Sequence, residues 1–505
     1  MRMEASRDTV AGNTIGFSVE KWAGETPAAA ALSDAAGKLT YAELAHRIEQ
    51  VCVWLRSLGL SPGDRILVVA ENSVSLALLI LAADRAGITA VLENARRAGA
   101  EIGAIREHCD ARLTIFVFSN SSDARAHAER DAVSALVVEP LGEVAVRHER
   151  QEQAATAARG EGERPAVIIY TTGTTGTPKG VMLPPRVFEF ISSQMRALRY
   201  VTPQDIVYGV LPITHVMGLA SVLSGALVSG AHLHLVPRFS AADCVDFVRE
   251  RGVTMLQGAP AMFAKIIDHC RAKGIARLQG VRFIGSGGAP IDPVVKHEAE
   301  QLFGVPLHNG YGLTEAASTC WTRFEDDNGD DTVGRPLPQV EIRVERKTPA
   351  DDVGELWVRG PHVMTGYFRD PMRTVEVLTP DGWFNTQDLA RIGGDGRVYI
   401  VGRTKDIIIR SGFNVYPLEV ELTLCKHPDV LHCAVLGRKV KGNEEIVAYV
   451  ELAQGAAATP GDLSAFLAER LSPYKRPNEI VLMDALPVAA NGKVLKSALS
   501  AAAAV

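Results

Sequence analysis

The sequence predicts an α/β fold, with a large N-terminal α/β body containing subdomains and a small C-terminal α+β domain. Three observations carry that expectation. Near the N-terminus, segments with helical apolar spacing alternate with short apolar runs, the pattern of a parallel sheet covered by helices. Further on, the apolar run 166–169 opens onto a loop rich in glycine and threonine. After about residue 400, short strands and helices follow one another within about a hundred residues, a normal domain size.

The elements follow in chain order. Thr40 and Glu43 have capping-box spacing, and Leu44, Ile48, Val51, Leu55 and Leu58 continue at helical intervals. Pro62, Gly63 and Asp64 form a turn, 66–70 a short strand and 76–86 a second helix. Residues 142–165 are rich in Glu, Arg, Gln and Ala without an apolar stripe, so they read as a surface connector. Residues 206–237 contain no Asp, Glu, Lys or Arg. Pro212, His215, His232 and His234 sit poorly in lipid, so a buried segment is expected rather than a membrane span. The acidic stretch 325–331 lacks calcium-loop spacing and reads as a solvated loop. In the C-terminal part, 407–409 is strand-like and Pro417 suits the first turn of a helix running through Leu424. Residues 430–436, 446–452 and 480–483 read as strands, 463–471 as a helix, and the alanines 501–504 as a frayed end.

Composition narrows the class. The chain has 505 residues, 47% hydrophobic and 22% charged, which argues against wholesale disorder. Its 53 basic and 59 acidic residues give a net charge of −6, which does not suit a phosphate-coating nucleic-acid binder. Seven cysteines, at 52, 109, 244, 270, 320, 425 and 433, include no CxxC pair and fit a reduced compartment. Arg2 and Arg7 are followed by a polar, acidic stretch instead of a signal core, so a cytoplasmic location is expected. Monomer and homodimer both fit this composition.

The strongest local signal runs from Tyr170 to Gly180, reading Y-T-T-G-T-T-G-T-P-K-G. Glycines let backbone N–H groups converge, and threonine hydroxyls with Lys179 add donors for polyphosphate. A Walker A loop needs Gly before its Lys and Ser or Thr after it. Here Pro178 precedes Lys179, Gly180 follows, and Val181, Met182 and Leu183 read as a strand. A turn without a ligand is the plainer alternative for this composition.

Tyr170–Gly180 resembles the signature loop of the AMP-forming adenylate-forming superfamily, which includes acyl- and aryl-CoA synthetases, luciferases and peptide-synthetase adenylation domains. Further motifs stand in that family's order. They are L-P-I-T-H ending at His215, G-S-G-G-A-P from Gly285, Y-G-L-T-E from Tyr311 to Glu315, and G-E-L from Gly354. W-F-N-T-Q-D from Trp383 to Asp388, G-R-T-K-D from Gly402 to Asp406, and N-G-K ending at Lys493 complete the set. Each is weak alone; the ordered set over about residues 170–496 is specific.

The resemblance implies an ATP-dependent acid–CoA ligase. A carboxylate attacks the α-phosphate of ATP to give an acyl-adenylate and pyrophosphate, and the thiol of coenzyme A then displaces AMP. Thr171, Thr172, Gly173, Thr174, Thr175, Gly176 and Lys179 would hold the phosphates. Thr314 would contact phosphate and Glu315 would position Mg²⁺. A helix start with an acidic first turn is the ordinary reading of that pair. Gly287, Gly288 and Ala289 would lie against adenine, with Tyr311 and Gly312 also on the nucleotide side. Asp388 would accept from the ribose hydroxyls beside Arg403. Lys493 would bridge the attacking carboxylate and the α-phosphate. Lys405 would be the hinge on which the mobile C-terminal domain, residues 405–505, turns against the adenylation domain, 1–404. Gly412 would give room to the pantetheine arm.

His215, Val216, Met217, Gly258 and Gly285 would line the acyl pocket. No cation stands among them, which favours an uncharged aryl or medium-chain acid over a dicarboxylate. Two positions depart from the family pattern: Thr172 replaces the usual Ser, and Gln387 replaces the usual Gly. If the backbone at 387 requires positive φ, Gln costs on the order of 1 kcal/mol there. An adenylation enzyme that loads a carrier protein, a luciferase-like oxidase and a non-catalytic nucleotide-binding relative share parts of this motif set. Retention of Lys179, Glu315, Asp388 and Lys493 argues against the last.

Overall fold

A computed structural model describes residues 15–149, 163–171, 178–324, 332–346, 348, 351–410, 413–440, 443–453, 455–487, 494, 496, 498 and 499. The chain divides into two compact units. One comprises Met1–Arg238 with Pro361–Thr374, and the other Phe239–Gly360 with Val375–Val505.

In the first unit the βα alternation forms as the sequence indicates. Thr40 accepts from the Glu43 N–H while the Glu43 carboxylate accepts from the Thr40 N–H, closing the capping box of helix Tyr41–Ser57. Leu44, Ile48, Val51 and Leu55 on that helix are fully or almost fully buried. Strand Arg65–Ala70 is buried along its whole length, as a strand covered on both faces must be. Helix Val74–Arg85 begins at Ser73, whose hydroxyl accepts from the Leu76 N–H.

Among the described residues eight strands form one sheet of this unit. In order these are Gly366–Tyr367, Lys179–Leu183, Val167–Thr171, Thr89–Asn94, Arg65–Ala70, Leu113–Val117, Gly142–His148 and Ala135–Val138. The central four are parallel and the outer pairs antiparallel. This corrects the surface-connector reading of 142–165 in its first half. Gly142–His148 is a strand paired on both sides, and it buries Val144 and Ala145. The consecutive apolar residues Val144, Ala145 and Val146, two of them β-branched, were the strand signal in a segment whose composition masked it. Residues 150–162 lie outside the described set.

The uncharged stretch 206–237 forms strand Ile206–Gly209, a π-helix Met217–Ser224, helix Gly225–Val228 and strand His232–Leu235. Its side chains are largely buried, and no described helix is long and apolar enough to cross a membrane.

In the second unit, strands Met255–Gly258, Phe283–Gly287 and Leu307–Leu313 run parallel. Ala317–Trp321 and Arg335–Pro336 add antiparallel partners. An antiparallel sheet follows from Glu341–Glu345, Gly354–Arg359, Phe384–Ile392 and Val398–Arg403. The small C-terminal domain carries strands Val430–Val440, Asn443–Leu452 and Glu479–Met483 with helices Pro417–Leu424 and Pro460–Ala468. Its core joins Val420, Leu424, Val435, Ile446, Ala448, Val450, Leu463 and Leu467. Pro417 opens its helix at the position where a missing N–H costs nothing. The readings at 325–331 and 501–504 lie outside the described residues.

Candidate active site

Each unit carries part of the sequence-derived set. In the first, Thr171 ends strand Val167–Thr171 and Lys179 begins strand Lys179–Leu183, and the two residues are antiparallel partners. The Gly/Thr segment therefore connects two adjacent antiparallel strands, whereas a Walker A loop opens a helix. The Lys179 ammonium lies 5.3 Å from the centre of the Tyr367 ring. Thr172, Gly173, Thr174, Thr175 and Gly176 lie outside the described residues. His215 is exposed, Val216 buried and Met217 half-buried at the start of the π-helix. Such helices recur at functional sites because their wider turn displaces side chains from regular spacing. Helical periodicity gave no warning of it.

The second unit holds a polar cluster built on Asp388. The carboxylate is 5% exposed. Tyr311 donates from its hydroxyl to Asp388 Oδ2 at 2.5 Å, and Arg403 donates from Nε to Oδ1 at 3.0 Å. Burial first, and then the Asp388 charge, push the Tyr311 pKa well above the ordinary phenol value, so the hydroxyl stays a donor. For Arg403 burial opposes the charge, but Asp388, Asp406 and Tyr311 outweigh it and raise its pKa.

A distortion in the sheet aims Asp388. Strand Gly354–Arg359 pairs Glu355 with Leu389 and Trp357 with Asn385, so Leu356 alone faces Thr386, Gln387 and Asp388. The extra residues form a bulge, a device that re-aims side chains. Thr386 fills the gap: its hydroxyl donates to the Leu356 carbonyl at 2.7 Å and accepts the Asp388 N–H at 3.1 Å. Gln387 has φ of 59°, so the left-handed backbone conformation is required here. Its N–H donates to Asn385 Oδ1 at 2.8 Å, which helps hold a conformation that Gln disfavours. The role of Thr386 was not legible in the sequence; a short polar residue two before the candidate Asp388 was its only signal.

Gly258 and Gly285 are buried on adjacent parallel strands, where Gln257 is the register partner of Gly285 and Gly258 of Ser286. Gly287 is paired with Gly310, beside Tyr311. Gly288, at φ of 82°, is exposed and has open space where a side chain would begin; Ala289 is half-buried. At Gly312 a Cβ would stand 1.9 Å from the Ala317 carbonyl oxygen, so glycine there serves the closeness of the two strands. Thr314 is buried and Glu315 half-buried in a 3₁₀ turn, Thr314–Ala316, not at the start of an α-helix. Lys405 is exposed in the 3₁₀ turn Thr404–Asp406, anchored through Thr404 Oγ1 to Glu355 Oε1 at 3.0 Å. Gly412 and Lys493 lie outside the described residues.

The donor set fits a nucleotide with Mg²⁺. A carboxylate has about four lone-pair positions; Tyr311 and Arg403 occupy one each on Asp388, which leaves capacity for vicinal hydroxyls. No group of three metal-ligating side chains occurs among the described residues. Mg²⁺ bound mainly through phosphates needs only one or two carboxylates.

Comparison with known proteins agrees with this chemistry. The AMP-binding enzyme model matches residues 19–368, and the AMP-binding enzyme C-terminal domain model matches 419–493. Sulfoacetate–CoA ligase of Cupriavidus necator is 31% identical over 471 residues, covering 91% of this chain and 92% of the relative. ATP-bound MatB from Rhodopseudomonas palustris superposes with a TM-score of 0.83 at 28% identity, covering 97% and 99% of the two chains. O-succinylbenzoate coenzyme A synthetase from Bacillus subtilis, in complex with ATP and magnesium ion, gives 0.80 at 27% identity, covering 96% and 99%. Fold and site thus define an AMP-forming acid–thiol ligase, a class that works with ATP, Mg²⁺ and coenzyme A. The chain belongs to the AMP-binding enzyme family.

Proposed function

We propose that this enzyme activates an uncharged aryl or medium-chain carboxylic acid with ATP and transfers the acyl group to coenzyme A. The supporting observation is the Tyr311–Asp388–Arg403 cluster, a buried carboxylate oriented by two donors within the family's ordered motif set. Asp388 would take the ribose hydroxyls, and Gly287, Gly288 and Ala289 would lie against adenine. Thr171–Gly176 with Lys179 and Thr314 would hold phosphate, and Glu315 would position Mg²⁺.

Attack of a carboxylate on the α-phosphate brings two anions together, so a cation placed between them lowers the barrier. Lys493 would supply it. Pyrophosphate leaves, and the mixed anhydride then has AMP as its leaving group. Lys405 would be the hinge by which residues 405–505 turn against 1–404, withdrawing Lys493 and admitting the thiol past Gly412.

The acid would meet His215, Val216, Met217, Gly258 and Gly285, where no Lys or Arg is present to pair a second carboxylate. A cytoplasmic location suits a thiol acceptor and seven free cysteines.

Acid-dependent exchange of labelled pyrophosphate into ATP tests the first step. Lys493→Ala should nearly abolish that exchange yet spare thioester formation from preformed acyl-adenylate. Equal loss of both half-reactions would refute the assignment.

A further inference from the structure

The cysteines differ in their surroundings. Cys52, Cys109, Cys244, Cys270 and Cys320 are buried, while Cys425 and Cys433, in the C-terminal domain, are half-buried. These two also lie against each other. Their Sγ atoms are 3.5 Å apart, although the residues stand eight positions apart in the chain.

Two elements bring them together. Cys425 follows helix Pro417–Leu424, and its N–H donates to the Glu421 carbonyl at 2.9 Å. Cys433 lies on strand Val430–Val440, an edge of its sheet, and its thiol donates to the same carbonyl at 3.4 Å. One backbone oxygen thus holds both residues. Both side chains pack against the core that contains Val420, Leu424 and Val435, and both keep some exposure to solvent.

A cysteine packed against a core is ordinarily a small apolar side chain. Two features go beyond packing here. An S–S bond is about 2.05 Å long, so a closure of roughly 1.5 Å from the observed contact forms one. Rotation about the two Cα–Cβ bonds can supply it. The second feature is access, since a small oxidant reaches a half-exposed sulfur before a buried one. The hydrogen bond with Cys425, and then burial, hold the Cys433 thiol well above the ordinary thiol range. Cys433 therefore keeps its proton, which leaves Cys425 as the attacking sulfur.

We propose that Cys425 and Cys433 form a reversible oxidation site, which hydrogen peroxide converts to a disulfide within the C-terminal domain. Cys425 Sγ, its proton given to solvent, attacks one peroxide oxygen. The S–O bond forms, the O–O bond breaks, and hydroxide leaves and takes up a proton. Cys433 Sγ then attacks the sulfenic sulfur. The S–S bond forms, the S–O bond breaks, and water departs with the Cys433 proton. Two thiols and one peroxide become one disulfide and two waters, so the sulfurs lose the two electrons that the peroxide gains. The new bond ties the end of helix Pro417–Leu424 to the sheet edge.

The test treats the full-length enzyme with hydrogen peroxide, alkylates the remaining thiols with N-ethylmaleimide in urea, and maps unreduced peptides by mass spectrometry. Untreated enzyme should be alkylated at all seven cysteines. Treated enzyme should lose the label at Cys425 and Cys433 alone and yield their two peptides linked, lighter by two hydrogens. Dithiothreitol should restore both labels. Cys433→Ser should accumulate a sulfenic acid at Cys425 that dimedone traps, and Cys425→Ser should show neither linkage nor trapping. Full labelling after peroxide, sulfinic or sulfonic acid in place of the linked pair, or linkage to another cysteine or a second molecule would overturn the site. Dimedone trapping at Cys433 would overturn the order of attack. Peptide mapping of the unsubstituted enzyme decides the site even where a serine variant fails to fold.

Discussion

The Tyr311 hydroxyl lies 2.5 Å from Asp388 Oδ2. It orients a buried carboxylate whose other oxygen is held by Arg403, the carboxylate proposed above to accept the ribose hydroxyls. A hydrogen bond to a charged group contributes about 1.5–3 kcal/mol. Tyr311→Phe should therefore raise KM for ATP by roughly ten- to a hundredfold with the protein still folded, as read by initial rates and circular dichroism. An unchanged KM would remove Asp388 from nucleotide binding.

Thr386 makes the bulge that aims Asp388. Thr386→Val strands the Leu356 carbonyl and the Asp388 N–H, and should cost about 1–3 kcal/mol of stability together with weaker ATP binding. Thr386→Ser keeps the hydroxyl and should behave almost as the wild type. Urea denaturation and equilibrium binding of ATP on both variants check this.

Much of this arrangement was legible in the sequence. The Thr40–Glu43 box, the buried strand at Arg65–Ala70 and the C-terminal helix from Pro417 form because local spacing and burial point the same way. Asp388, Tyr311 and Arg403 could be named from their motifs, but their contact depends on tertiary packing: Asp388 and Arg403 are register partners on adjacent strands, and Tyr311 reaches Asp388 from a different sheet. The positive φ at Gln387 was foreseen only as a condition, since no local rule says where a sheet will bulge. Strand Gly142–His148 was missed because pairing on both sides overrode a polar composition.

His362 gives the first unit a pH-dependent stability. It is fully buried, neither ring nitrogen has a partner among the described residues, and burial lowers its pKa to about 3. The native state holds the ring neutral, while the unfolded chain takes up a proton below about pH 6.5. Stability from this group is therefore complete above that pH and is lost as pH falls towards 3, by at most about 1.4 kcal/mol per unit. His362→Leu should flatten that part of the acid limb in urea titrations at pH 7.5, 5.5 and 4.5. A parallel fall in variant and wild type would contradict it.

The hinge assignment is tested in the turn Thr404–Asp406. Lys405→Pro fixes φ and removes an N–H at the residue proposed as the hinge, whose dihedral angles would have to change. Thioester formation should slow by more than tenfold while pyrophosphate exchange changes less than about threefold, on the scale of a gating step. Rapid-quench assays of each half-reaction separate the two.

The central claim is acid activation through AMP followed by transfer to coenzyme A. Its most direct measurement incubates the enzyme with ATP, Mg²⁺, coenzyme A and a panel of aryl, medium-chain and dicarboxylic acids, and quantifies thioester, AMP and pyrophosphate together. The account predicts stoichiometric acyl-CoA, AMP and pyrophosphate with an uncharged aryl or medium-chain acid, and little with dicarboxylates. Release of ADP, or adenylate without thioester across the whole panel, would contradict it.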